Sequence, residues 1–258
     1  MSSVTLLPWF APRLSPGICR VLSSIGHEST LTRGETIGTS AFFKRLVFVR
    51  SGLLAQAAFI PGTNMPFMLT LSAPSSFGYL TASIDVPDNL PRRYRAACRC
   101  EVLTVAPEIF LRVTEIEPAW NEEIASYAVR RAFCERLGLM VCQAAAPADR
   151  LGVFLLALAK SCGTANIGEM SAKSFVRLPS VPSRRCAATL LNCPLESIDA
   201  ALASWGRGGR IRREGAVLSV KAELLQKYEA WLQPFLQMQP GREAAGRSRP
   251  TFDVSELF

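Results

Sequence analysis

The chain has 258 residues, 49% hydrophobic and 9% aromatic, enough to fill one large core or two smaller ones. Its formal net charge of +8 favours an anionic partner, and nucleic acid or membrane lipid would serve equally on charge alone. A single histidine, eight scattered cysteines without a Cys-x-x-Cys pair, and no Gly-x-x-x-x-Gly-Lys-Ser/Thr loop argue against a zinc ribbon or a nucleophile–histidine pair. An enzyme is therefore the weaker class, and no metal or cofactor is expected.

No apolar run reaches the roughly eighteen residues of a membrane span, and Pro8, Arg13 and Pro16 interrupt the N-terminus, so a cytoplasmic location without a membrane partner is expected. Leu6, Leu7, Trp9 and Phe10 form an apolar lead-in to an amphipathic helix begun at Ser15-Pro16 and carrying Ile18, Val21, Leu22 and Ile25. His27 reads as a solvent-facing loop residue. From Thr30 to Val105 short apolar runs are punctuated by Gly and Pro: 31–37, 46–49, 53–60, 67–71, 94–98 and 102–105. That pattern predicts an antiparallel barrel or jelly roll. Cys98 and Cys100 share a strand face, Cys134 and Cys142 a helix face, and reduced, mostly buried thiols are expected.

Pro107-Glu108 opens a short helical turn, and from Trp120 the sequence is continuously helical. Ile124, Ala128, Ala132, Phe133, Leu137, Met140, Val141 and Ala144 form its apolar stripe, with Glu122, Glu123, Arg130, Arg131 and Glu135 off it. About 24 residues at roughly 1.5 Å each would overrun a small barrel, so two chains are expected to pair through Ile124, Ala128, Phe133, Leu137 and Met140. Pro147 marks a hinge, and Asp149-Arg150 begins another helix through Leu151, Phe154, Leu155, Leu158 and Ala159.

The stretch Pro182–Val220 carries the strongest signal. Ser183 offers a cap to a short helix buried through Ala187, Leu190 and Leu191, Asn192 and Cys193 make a turn, and Pro194 suits the first position of a second helix. Ile198, Ala201, Leu202 and Trp205 give that helix a core face, leaving Leu195, Glu196, Asp199, Ala200 and Ala203 nearer the outside. A Gly-rich turn, Arg210–Arg213, Glu214-Gly215 and Ala216–Val220 then read as a hairpin, completing a winged helix-turn-helix. Residues 173–221 hold nine Lys or Arg against three acids. The second helix of such a unit fits the major groove while nearby cations neutralise phosphates, although a basic domain that binds protein would share the pattern. A further amphipathic helix spans Ala222–Met238, followed by a tail over 239–258 that reads as disordered.

In this order, barrel, long helix, Pro-marked hinge and winged domain resemble the bacterial Crp/Fnr superfamily of transcriptional regulators over residues 5–220. Leu6-Leu7-Pro8-Trp9-Phe10 with Leu14-Ser15-Pro16, Arg33-Gly34-Glu35, Val47-Phe48-Val49-Arg50-Ser51-Gly52, Phe77-Gly78, the strand Arg95–Val102 and Asp149-Arg150-Leu151 carry the resemblance. It implies an α+β chain: a cyclic-nucleotide-binding-like barrel over 1–118, a dimerisation helix over 119–146 and a winged helix-turn-helix over 147–238. It also implies double-stranded DNA, a second copy of the chain and RNA polymerase as partners. Family members that bind cyclic AMP carry an acid after Phe-Gly and an Arg-Ser pair before the Arg-Ala strand. Here Tyr79 and Leu90-Pro91 stand there, so the resemblance implies a degenerate effector pocket near Gly78, Tyr79, Arg92, Arg93, Glu135 and Arg136, with its effector unknown. Cys19 and His27 alone do not supply iron–sulfur or haem ligands. For DNA, the family pattern points to Ser183, Arg184, Arg185, Leu195, Glu196, Ser197, Ala200, Arg207, Arg210, Arg212 and Arg213. Leu195 and Ala200 replace recognition arginines, which implies a different target or, alternatively, an adaptor that works through protein contacts.

Overall fold

Alternation along the strands builds two facing antiparallel sheets. One has the order β1 (His27–Leu31), β8 (Cys100–Val105), β3 (Leu46–Ser51), β6 (Ser76–Tyr79); the other is β2 (Thr36–Ile37), β7 (Arg92–Ala96), β4 (Leu54–Phe59), β5 (Pro66–Ser72). The structure is a computed structural model and describes residues 6–37, 45–59, 62, 66–79, 92–164, 166–178, 181–215 and 217–237. The expected tail over 239–258, together with Ile60, Leu90, Pro91, Ala216 and Met238, lies outside them.

Strand β3 shows why the barrel forms. Successive side chains point to opposite faces, so Val47 and Val49 meet Leu31, Leu54, Tyr94 and Val102 between the sheets. Leu46 and Phe48 point the other way, onto Ile18 and Leu22 of α1 (Pro16–Ile25) and Phe110 of α2 (Pro107–Ile116). The run expected over 31–37 is two strands, because Thr32–Glu35 form a tight turn. Glu35 N–H donates to the Thr32 carbonyl at 3.0 Å, Thr32 N–H to Glu35 Oε2 at 2.8 Å, and Gly34 takes φ +89°. His27, expected in a loop, opens β1 and faces solvent.

Helix α3 (Pro118–Ala144) packs on the barrel through Tyr127. Tyr127 Oη accepts from Phe77 N–H at 3.0 Å, and the two rings meet edge to face at 5.3 Å. The buried stripe is Ile124, Tyr127, Arg131, Cys134, Leu137, Gly138, Val141 and Cys142. This corrects the expected pairing stripe in two places, because Ile124 and Leu137 lie inside the chain's own cores while Arg131, expected off the stripe, is on it. The overrun is absorbed: the C-terminal half of α3 packs on the N-terminal segment, where a Cβ on Gly138 would stand 2.5 Å from the Trp9 ring. Phe133 is half-buried against the same core. Val129 (71% exposed), Leu139 (52%) and Met140 (41%) face outward instead.

Helix α4 (Pro147–Ser161) starts at the proline itself and is buried on every side from Leu151 to Ala159. Phe154 stacks on Phe10 at 6.0 Å and meets Trp9 edge-on at 6.3 Å. On the opposite side Gly152 lies so close to Tyr228 of α7 (Ala222–Gln237) that a Cβ there would come within 1.9 Å of the ring. One contiguous core therefore runs from the outer face of β4 and β5 through α4 into the C-terminal half.

Candidate nucleic-acid interface

Helix α5 (Arg184–Leu190) begins where Ser183 Oγ accepts from Cys186 N–H at 3.2 Å. Asn192, at φ +47°, supplies the left-handed residue of the turn, which a short polar side chain tolerates. Helix α6 (Leu195–Arg207) follows, with Pro194 as its cap rather than its first residue. Ile198, Ala201 and Trp205 fix α6 to the core, leaving Glu196, Ala200, Ala203, Ser204 and Arg207 exposed. Arg210 N–H donates to the Trp205 carbonyl at 2.8 Å and turns the chain into β10 (Ile211–Glu214), which pairs with β11 (Val217–Lys221). A third strand, β9 (Phe175–Leu178), completes the sheet on the other edge of β11.

Most of the residues expected at DNA are exposed, with the neighbours Arg212 and Arg213 on opposite faces of β10. Arg185, Glu196, Ala200, Arg207, Arg210, Arg212 and Arg213 are all exposed. The Arg212 guanidinium lies 4.2 Å over the Phe175 ring, which orients it without neutralising it. Arg184 differs: it donates to Asp199 Oδ1 at 2.7 Å, so its charge is partly compensated and the acid on α6 is drawn aside. Ser183 serves as a helix cap, Leu195 is half-buried against the core, and Ser197 is half-buried.

The role of Arg150 emerges only from the fold. Its Nε donates to the Ala145 carbonyl at 2.7 Å, and its Nη1 donates to the carbonyls of Leu191 at 3.0 Å and Asn192 at 2.8 Å. A single guanidinium thus joins the end of α3 to the turn of the helix-turn-helix. Only tertiary structure brings these carbonyls together, so no sequence spacing announces them.

The barrel interior holds a polar cluster. Arg131, 4% exposed, donates through Nη2 to Gln56 Oε1; Thr70 Oγ1 donates to the same oxygen at 3.4 Å, and Arg131 Nε stands 3.5 Å from Glu135. Of the expected pocket residues, Glu135 takes part in this cluster. Gly78 packs tightly, since a Cβ there would stand 2.5 Å from Leu54. Arg93 and Arg136 are exposed, Arg93 lying 4.8 Å over the Phe59 ring. They are thus not brought into the barrel, because a β-strand turns alternate side chains outward and Arg136 sits on the outer face of α3. Tyr79 and Arg92 are placed on β6 and β7, paired with Val47 and Ala58.

No disulfide links the described cysteines, and the surroundings of seven of them oppose ionisation. Burial pushes Cys134 up to about 12 and Cys186 up to about 11, and raises Cys19, Cys142, Cys162 and Cys193 as well. Cys100 is raised chiefly by its hydrogen bond with Cys98. No group of His, Cys, Asp and Glu among the described residues is placed to hold a metal ion, and no described helix is long and apolar enough to cross a membrane.

No family model and no curated protein matches the sequence. Solved structures do match its architecture. FixK2 from Bradyrhizobium japonicum superposes with a TM-score of 0.60 at 14% identity, covering 80% of this chain and 96% of that one. A cyclic nucleotide-binding domain containing protein from Listeria monocytogenes EGD-e gives 0.59 at 14%, covering 81% and 99%. A CooA mutant from Carboxydothermus hydrogenoformans gives 0.56 at 14%, covering 82% and 89%. The chain shares the fold of these structures. Each of these matches covers at least 80% of this chain, so the likeness extends well beyond a single motif.

Proposed function

We propose that this chain is a homodimeric, sequence-specific DNA-binding transcriptional regulator of Crp/Fnr type that acts without cyclic AMP. The observation that carries the reading is a helix-turn-helix unit whose Arg185, Arg207, Arg210, Arg212 and Arg213 are all exposed and whose α6 leaves Glu196 and Ala200 open. These arginines supply backbone attraction, while Glu196 and Ala200 on α6 reach base edges, an acid accepting from cytosine and a methyl touching thymine. RNA polymerase is the further partner of a regulator of this class.

The pairing surface assigned to a second copy is the outward stripe of α3. Ala125, Val129, Ala132, Arg136, Leu139 and Gln143 are exposed at alternating spacings of four and three residues, the repeat of a two-helix seam. Cyclic AMP independence is supported by Arg131 and Gln56, which occupy the barrel beside α3, and by the outward placement of Arg93.

The test is a mobility-shift assay of the full chain against genomic fragments. Wild-type protein retards a subset of fragments, and alanine at Arg207, Arg210, Arg212 and Arg213 together abolishes retardation while leaving the circular dichroism unchanged. Equal retardation by that variant, or none by wild type, rejects the reading in favour of an adaptor that works through protein contacts.

A further inference from the structure

A cavity of about 770 Å³ opens where the barrel meets the winged unit, and the functional reading above does not use it. Its walls are apolar: Leu151, Phe154 and Leu155 of α4, Ile198 and Leu202 of α6, and Leu218 of β11. Its polar groups include Arg33, Arg184, Arg213 and Asp199. A concave apolar chamber of this size with a few convergent polar groups is the usual form of a small-molecule site.

The charges select the ligand. Asp199 is already engaged by Arg184 at 2.7 Å, whereas Arg33 and Arg213 make no ion pair among the described residues. The turn that carries Arg33 is itself held: its Glu35 carboxylate is occupied by the N–H and hydroxyl of Thr32, and its Gly34 carbonyl accepts from Arg95 Nε at 2.8 Å. Two guanidiniums without an ion pair among the described residues, one from each half of the molecule, therefore line an apolar chamber. A guanidinium fork pairs best with a planar, two-oxygen anion.

We propose that this cavity binds an amphipathic organic monocarboxylate, its chain among Leu151, Phe154, Ile198 and Leu202 and its carboxylate bridging Arg33 and Arg213. The bridge ties the winged unit to the barrel. Because Arg213 also belongs to the DNA reading proposed above, an occupied cavity weakens DNA binding. That consequence rests on that reading, whereas the binding test below uses no DNA and stands or falls separately.

The experiment is isothermal titration calorimetry of the full chain with decanoate, with decan-1-ol as the neutral comparison. Decanoate binds saturably, one per chain, and about tenfold more tightly than decan-1-ol. Arg33→Ala, on an exposed turn, removes most of that preference and leaves decan-1-ol binding unchanged; Leu202→Trp, which fills the chamber, abolishes both. Absence of saturable decanoate binding, or equal affinity for the acid and the alcohol, overturns the proposal. So does an unaltered preference in Arg33→Ala, a variant that does not depend on whether Leu202→Trp folds.

Discussion

Helices α3 and α4 are separated only by Ala145 and Ala146, yet they solve opposite problems. Helix α3 has two apolar stripes: one sealed onto its own barrel and N-terminal segment, the other, through Val129 and Leu139, left in solvent. Helix α4 has no outer face, because Trp9 and Phe10 cover one side while Tyr228 and the winged unit cover the other. A proline hinge therefore does not divide this molecule into two cores. The chain's two halves are fused through α4, and the surface left for a second copy is on α3.

The contrast can be broken most severely at α4. Gly152→Val drives a side chain into the Tyr228 ring and costs about 3 kcal/mol, read as a lower urea midpoint, with barrel and winged unit lost in one transition. A two-step transition would show that the halves are separate. Next is the buried pair beneath α3. Gln56→Ala removes the acceptor of a buried guanidinium and costs about 2 kcal/mol, while Arg131→Met, which removes the charge itself, costs less. The reverse order would mean that the cluster is not charge-limited.

Smaller effects sharpen the comparison. Val129→Glu on the open stripe weakens self-association about tenfold in sedimentation velocity and leaves the urea midpoint within about 0.5 kcal/mol of wild type. The same change would unfold the chain if that face were a core. Finally, the buried thiols set an alkaline limit. Unfolded thiols ionise near their ordinary value of 9.0, whereas the fold holds the protons of Cys134 and Cys186 until about 12 and about 11. Their folded pKa values are raised, so their contribution is full below pH 9.0 and is lost as pH rises towards those values, by up to about 1.4 kcal/mol per pH unit per thiol. Urea midpoints at pH 8 and pH 10.5 measure the fall.

Much of the fold was legible because it is local. Ser15-Pro16 and Ser183 cap the helices expected of them, Val47 to Val49 alternate as a strand must, and Asn192 turns the chain where a turn was expected. Strand β9 escaped notice because its four residues gain meaning only beside β11. The pairing stripe was misassigned for a related reason: a helix with apolar residues on two faces carries a blurred period, and only the barrel's position says which face is inside. At the candidate site the arginines were visible as composition, but their roles were not. Arg184 is bound to Asp199, Arg150 clamps three carbonyls and Arg131 enters the barrel through contacts far apart in sequence.

The most direct measurement is the salt dependence of binding, by fluorescence anisotropy, to a duplex recovered from retarded fragments. The account predicts that log K falls linearly with log salt, and that each alanine at Arg207, Arg210, Arg212 or Arg213 flattens the slope by about one. A slope near zero, or one unchanged across these variants, would contradict a winged unit that grips phosphate.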